Sequence, residues 1–194
     1  MLRKASLPLA ISLALVSQSA FAEGYKLFEQ SVSAAGNAYA GRGAQITDAS
    51  LVYSNPAALT KLKGAQFSGG ANLIYATTRY SDASAQSANG MPVTGRDSGK
   101  LTLSELVPFA FYSDHFTDNL SWGIGVYAPF GLSSDYNDDW VGRYFGDETS
   151  IKVVSMQPTV AYKLSQDWSF GLGVNVNYAE GTLSKFKDHS GLCE

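Results

Sequence analysis

From Asn119 to Phe130 the chain reads NLSWGIGVYAPF, with Leu120, Trp122, Ile124, Val126, Ala128 and Phe130 on one side and Asn119, Ser121, Gly123, Gly125, Tyr127 and Pro129 on the other. A period of two predicts a strand with one apolar face. WSFGLGVNVNYA, residues 168–179, repeats the pattern: Trp168, Phe170, Leu172, Val174, Val176 and Tyr178 alternate with a face that carries no large apolar side chain. Three weaker strands, each bounded by turn residues, are predicted at about 67–80, 105–113 and 151–164.

Geometry selects between two homes for such strands. Trp168 and Tyr178 are ten residues apart, about 33 Å along a strand, and a tilt of about 40° reduces this to about 25 Å of height. That is the height of the apolar band of an outer-membrane barrel, with an aromatic residue at each rim. A soluble β-sandwich also alternates, but the connections favour the membrane. SDASAQSANGMPVTGRDSGK is long, DHFTD short, GLSSDYNDDWVGRYFGDETS long, and the link at 165–167 short. Long loops at one end and short turns at the other are the outer and periplasmic ends of a bacterial barrel. Five strands fall short of the minimum of about eight that closes one. The chain is therefore expected to be the amino-terminal portion of a longer barrel, or else a truncated, non-functional product.

The first sixty residues follow a different pattern. MLRKASLPLAISLALVSQSAFA has Arg3 and Lys4, an apolar run from Leu7 to Val16 and an A-x-A site at 20–22, so residues 1–22 read as a secretory leader. Its removal takes the net charge from −3 to −5 and argues against nucleic acid as a partner. Residues 23–66 are small and Gly-rich and end in SNPAALTKLKG, which reads as a helix start: Asn55 caps, Pro56 takes the first helical position and Gly64 ends the turn. Such a segment is too large for a plain structural barrel or adhesin and suits a plug. No mature stretch nears the 18 to 20 apolar residues of a spanning helix. The one cysteine, Cys193, rules out an internal disulfide framework.

GYKLFEQSVSAAGNAYAGRGAQITDASLVYSNPAAL, residues 24–59, resembles the amino-terminal hatch of the FadL/TodX-type outer-membrane transporters of long-chain fatty acids and other hydrophobic compounds. The likeness is carried by Gly24, Tyr25, Leu27, Glu29, Gly36, Ala38-Tyr39, Gly41, Asp48-Ala49 and Asn55-Pro56-Ala57, and continues in YAPFGLSSDYNDDWVGRY and DWSFGLGVNVNYAEGTLSKF. It implies an all-β fold, a transmembrane antiparallel barrel of about fourteen strands of which about five are present, plugged by residues 23–66, with the barrel running from residue 67. Substrate would be captured at the outer loops, held beside the hatch and released sideways at a kink in the third strand.

Several residues acquire candidate roles from that resemblance. Lys185 falls where the family places a basic residue against the fatty-acid carboxylate; its other reading is a lysine snorkelling at the outer rim. Tyr25 and Leu27 fall where the family inserts side chains against the alkyl chain, or else simply pack the plug. Ala128, Pro129 and Gly131 match the third-strand kink, although Pro and Gly also suit a strand end entering a loop. Trp140, Arg143 and Tyr144 sit in the long second outer loop as a candidate capture surface. The partners implied are a fatty acid or other hydrophobic small molecule, outer-membrane lipid and lipopolysaccharide, with the full-length protein a monomer.

Other chemistry is not supported. Asp135, Asn137 and Asp139 imitate the start of a calcium loop, but Trp140 stands at its sixth position and Gly146 at its twelfth, so no metal is expected. A hydrolase needs a nucleophile with a histidine base, and neither His115 nor His189 lies in a motif. No phosphate-binding loop is present and no cofactor is expected.

Overall fold

The computed structural model describes residues 26–190. The expected leader, Tyr25 and Cys193 lie outside the described residues. Strands β1 (Gln66–Tyr80), β2 (Gly99–His115), β3 (Leu120–Asp135), β4 (Glu148–Lys163), β5 (Ser169–Gly173) and β6 (Val176–Leu183) form one antiparallel sheet. β5 and β6 both pair with β4 in a single register, Gly173 opposite Thr159 and Val176 opposite Met156. They are two pieces of the one strand expected at 168–179, interrupted beside Pro158, which has no N–H to complete the rung. The Val174 N–H still reaches the Pro158 carbonyl at 3.1 Å.

β2 is longer than the pattern suggested. It begins at Gly99, because β1 supplies a partner for every residue from Gly99 to Ser113 and the exposed Lys100, Thr102 and Ser104 need no burial of their own.

The two faces of the sheet invert the usual order. Large apolar side chains, among them Leu106, Val126, Val154, Met156, Val160, Phe170 and Leu172, are exposed on one face. The buried face carries Ser113, Ser121, Gly123, Gly125, Ser155, Gln157 and Thr159 beside a few aromatics. In water this would be an aggregation surface; against hydrocarbon it is the outer wall of a barrel.

Residues 26–65 form the plug on the inner face. α1 (Val32–Gly36) starts at Ser31, whose hydroxyl accepts from the Ala34 N–H at 3.2 Å. α2 (Leu51–Ser54) leads into a 3₁₀ helix, Pro56–Lys61, with Pro56 at its first position. Leu51, Val52, Ala58 and Leu59 pack on Phe109, Phe111, Tyr127 and Ala161, so the core lies between plug and wall. Small wall residues make this possible. A Cβ on Gly123 would stand 2.4 Å from Val52 Cγ2, and one on Gly171 would stand 2.3 Å from the Ala57 nitrogen.

The Asn-Pro-Ala turn thus seats directly on β5, and one expectation for it is corrected. Asn55 makes no side-chain cap to the following helix; its Nδ2 donates instead to the Gly43 carbonyl at 2.7 Å, pinning the preceding loop. Gly64 does turn the chain in the left-handed region, φ +63°, before β1 begins. Polar bonds complete the seat. Gln157 Nε2 donates to the Val52 carbonyl at 2.8 Å, and the Thr60 and Ser169 hydroxyls meet at 3.0 Å. His115 joins the Leu62 carbonyl and Ser121, at 3.0 and 2.9 Å, a clasp between plug and wall.

Gly171→Val in the full-length protein is expected to cost about 1 to 3 kcal/mol at this seat, since added methyls force the packed Ala57 backbone away. The check is limited proteolysis, with cleavage within residues 26–65 rising while the barrel keeps its heat-modifiable band.

Candidate functional site

β2 and β3 part company halfway along their length. They pair from His115 opposite Ser121 to Phe109 opposite Tyr127, and no further. In the same register the next positions are Pro108 opposite Ala128 and Val107 opposite Pro129. A proline without an N–H therefore stands at each of the two rungs where the ladder stops. β3 remains with β4 across the break but gains one residue, since Tyr127 faces Ser155 while Phe130 faces Val153. This is a β-bulge, and it bends β3 away from β2. The kink expected at Ala128, Pro129 and Gly131 is thus a real irregularity of the wall. Pro108, its counterpart on β2, was visible as a proline inside a predicted strand, but its pairing with the kink needed the register.

A cavity of about 350 Å³ occupies the parting. Leu106, Pro108 and Val126 line it from the outer face, and Leu103, Glu105, Val107, Phe109 and Phe130 from the inner face, with Lys152 and Val154 of β4 at the far side. Residues of both faces of the sheet therefore border it. Its lining is almost wholly apolar. Leu27 of the plug also contributes, beside Gly131, where an added Cβ would lie 3.3 Å from Leu27 Cδ1.

Behind the parting runs the plug segment 26–30. Its Leu27 N–H donates to the Pro129 carbonyl at 2.8 Å, Lys26 bridges to Phe130, and Gln30 Nε2 donates to the Ala128 carbonyl at 2.7 Å. On the other side Asn72 of β1 donates to the Glu29 carbonyl at 2.6 Å. Below it, Tyr127 is buried, donates to Gln157 Oε1 at 2.5 Å and meets the edge of Tyr53 with 4.7 Å between ring centres. The Arg42 guanidinium lies over the Tyr53 ring at 4.5 Å and donates to the Phe28 carbonyl at 3.2 Å. These contacts brace the plug from inside.

The outer loops pack on each other. Arg96 pairs with Asp139 at 3.4 Å and exchanges main-chain bonds with Asp139 and Val141, so Asp139 holds a loop partner. Trp140 stacks on Tyr136 with ring centres 4.1 Å apart, and its Nε1 donates to the Gly146 carbonyl at 2.9 Å. Trp140, Val141 and Phe145 then line a shallow cleft with Ala83, Ala85 and Pro92. Of the three expected capture residues, only Trp140 reaches this cleft. Arg143 ties the loops through the Thr94 and Trp140 carbonyls, both at 3.1 Å, and lies over the Tyr144 ring. The exposed Phe145 takes a place in the cleft instead.

Lys185 lies outside the lining of the wall cavity. It is exposed, two residues past Leu183, which stands opposite Thr149 on the inner side of the sheet. Its neighbours fasten it to the second outer loop, Ser184 through the Glu148 carbonyl at 2.8 Å and Phe186 through the Arg143 carbonyl at 2.9 Å.

Within the plug, Asp48 holds a knot of serines. It accepts from the Ser50 N–H at 2.8 Å and from the Ser33 hydroxyl, and Ser50 and Ser31 meet at 3.1 Å. Burial pushes the Asp48 carboxyl up, but hydrogen bonds from Ser33, Ser50 and Ser68 outweigh it and hold the group below its ordinary 3.8.

A sheet with a lipid-type outer face, an apolar cavity where two wall strands part and a plug seated on small inner residues defines a class: an outer-membrane barrel wall carrying its own amino-terminal hatch. Comparison with known proteins names the family. Residues 13–193 match the family described as Outer membrane protein transport protein (OMPP1/FadL/TodX), and the chain belongs to it. It is 33% identical over 183 residues to the Long-chain fatty acid transport protein of Escherichia coli K12, an alignment covering 92% of this chain and 39% of that protein. It is 30% identical over 188 residues to Outer membrane protein P1 of Haemophilus influenzae, covering 91% and 40%. The fold also matches the crystal structure of a Pseudomonas aeruginosa FadL homologue with a TM-score of 0.76 at 22% identity, over 84% of this chain and 39% of that one. The chain therefore spans about two-fifths of these relatives.

Because its folded pKa lies below the unfolded one, Asp48 contributes stability that is fully present above about pH 4 and lost as pH falls through the folded value. Protease cleavage of the plug in the full-length protein should rise on acidification below about pH 4. Asp48→Asn should raise cleavage at neutral pH and flatten that dependence.

Proposed function

We propose that the chain forms the plug and first wall strands of a passive outer-membrane transporter for long-chain fatty acids or related hydrophobic compounds. The observation that carries this reading is the apolar cavity at the place where β2 and β3 part, lined also by Leu27 of the plug. A long alkyl chain gains roughly 0.8 kcal/mol for each CH₂ taken out of water, so an apolar hole in a lipid-facing wall is a downhill route for it. No energy source is required when the end point is the membrane itself.

Capture falls to the cleft of the outer loops with Trp140 and Phe145. The alkyl chain then lies against Leu27 and the inner aromatics, and Lys185, just past the outer end of β6 beside the second outer loop, receives the carboxylate. That charge needs a cation once it leaves water. The molecule leaves sideways between β2 and β3 at Ala128, Pro129 and Gly131. The family membership and the similarity to the Long-chain fatty acid transport protein of Escherichia coli K12 support this substrate class.

Two measurements on the full-length protein test it. The pair Pro108→Val with Pro129→Val restores main-chain donors at the parting and is expected to cut fatty-acid uptake several-fold while leaving ligand binding intact; unchanged uptake refutes the exit route. Lys185→Ala is expected to weaken binding of a long-chain fatty acid more than that of an uncharged hydrocarbon, and equal losses refute the carboxylate role.

A further inference from the structure

We infer that Gln30 is a positioning residue that holds the wall open at the parting, a role resting on the exit route proposed above. At the bulge the Ala128 and Pro129 carbonyls face the plug, and a main-chain carbonyl left without a donor inside a membrane wall is costly. The plug supplies both donors: the Leu27 N–H to Pro129, at 2.8 Å, and the Gln30 side chain to Ala128, at 2.7 Å. The first bond belongs to the backbone and is available to any residue. The second depends on the amide of residue 30.

Gln30 is an expensive choice for a packing position. It is fully buried, and its Oε1 has no hydrogen-bond partner among the described residues. A space-filling apolar residue would avoid that cost. The amide repays it only through the donor aimed at Ala128. The segment carrying it is anchored on both sides of the parting, at β1 through Asn72 and at β3 through Ala128 and Pro129. It therefore acts as a strap of set length, and Gln30 is its side-chain fastening on the β3 side. With that fastening cut, β3 is free to swing back toward β2 and narrow the cavity.

The test uses the full-length protein with Cys193→Ser and spin labels on Leu106→Cys of β2 and Lys152→Cys of β4, which both line the cavity. Gln30→Met keeps the volume and removes the donor. Thr60→Val removes another side-chain bond between plug and wall, far from the parting, the 3.0 Å hydroxyl–hydroxyl contact with Ser169 on β5. Only protein running as the folded, heat-modifiable band is measured. Gln30→Met is expected to shorten and broaden the distance distribution and to slow oleate uptake roughly five-fold, the size of one lost hydrogen bond, with oleate binding unchanged, while Thr60→Val leaves the distances as they were. An unchanged distribution in Gln30→Met, or the same change in both variants, overturns the role of Gln30. Cross-linking the two cysteines tests the exit route on its own: uptake that survives the cross-link refutes that route, and the distance measurement still decides what Gln30 does.

Discussion

Inside a membrane wall each main-chain N–H and C=O must find a partner within the protein, since hydrocarbon offers none. This constraint explains both where the sheet is regular and how it tolerates a break. Pairing runs without interruption between β1 and β2, and it fails between β2 and β3 where Pro108 and Pro129 remove donors. The carbonyls stranded there are taken up by residues 27 and 30 of the plug. Plug and wall are therefore one hydrogen-bonded object at the place where β2 and β3 part. A plug that moved would change the partners of β3.

A second consequence of the solvent is the inverted core. Leu106, Val126, Val154, Val160 and Leu172 face outward, and Ser121, Gly123, Gly125, Ser155 and Thr159 face inward, where the plug packs. Val52 sits where Gly123 leaves room, and the Ala57 backbone sits on Gly171. Apolar packing exists, but it is the thin layer between Leu51, Val52 and Leu59 of the plug and Phe109, Phe111 and Tyr127 of the wall. Directed bonds from Gln157, Thr60 and His115 supply the orientation that so thin a layer cannot.

The legible part of the site was the part written in local chemistry. Alternation at 119–130 and 168–179 marked the wall strands and their outward faces, and Pro129 and Gly131 marked a bend. Leu27 was placed by resemblance and does line the cavity. The role of Asn55 was misread, because capping by a residue before Pro56 is the common local use and its actual partner, Gly43, lies twelve residues away. Arg143 and Trp140 looked alike as loop aromatics and cations, yet one fastens loops and the other lines a cleft. Gln30 gave no signal at all, since a glutamine in a polar, Gly-rich stretch is unremarkable until its buried neighbour is known.

The sequence by itself determined the period of each strand, which face meets lipid, and the points at which main-chain donors are missing, because these depend only on residue type and on the two-residue repeat of extended backbone. The register was decided by tertiary structure. Only when Phe109 is set opposite Tyr127 do Pro108 and Pro129 become neighbours, and only with the plug in place do the Pro129 and Ala128 carbonyls find Leu27 and Gln30. Pairing between strands is a long-range choice made jointly by turns, bulges and the plug, and no single stretch of chain contains it.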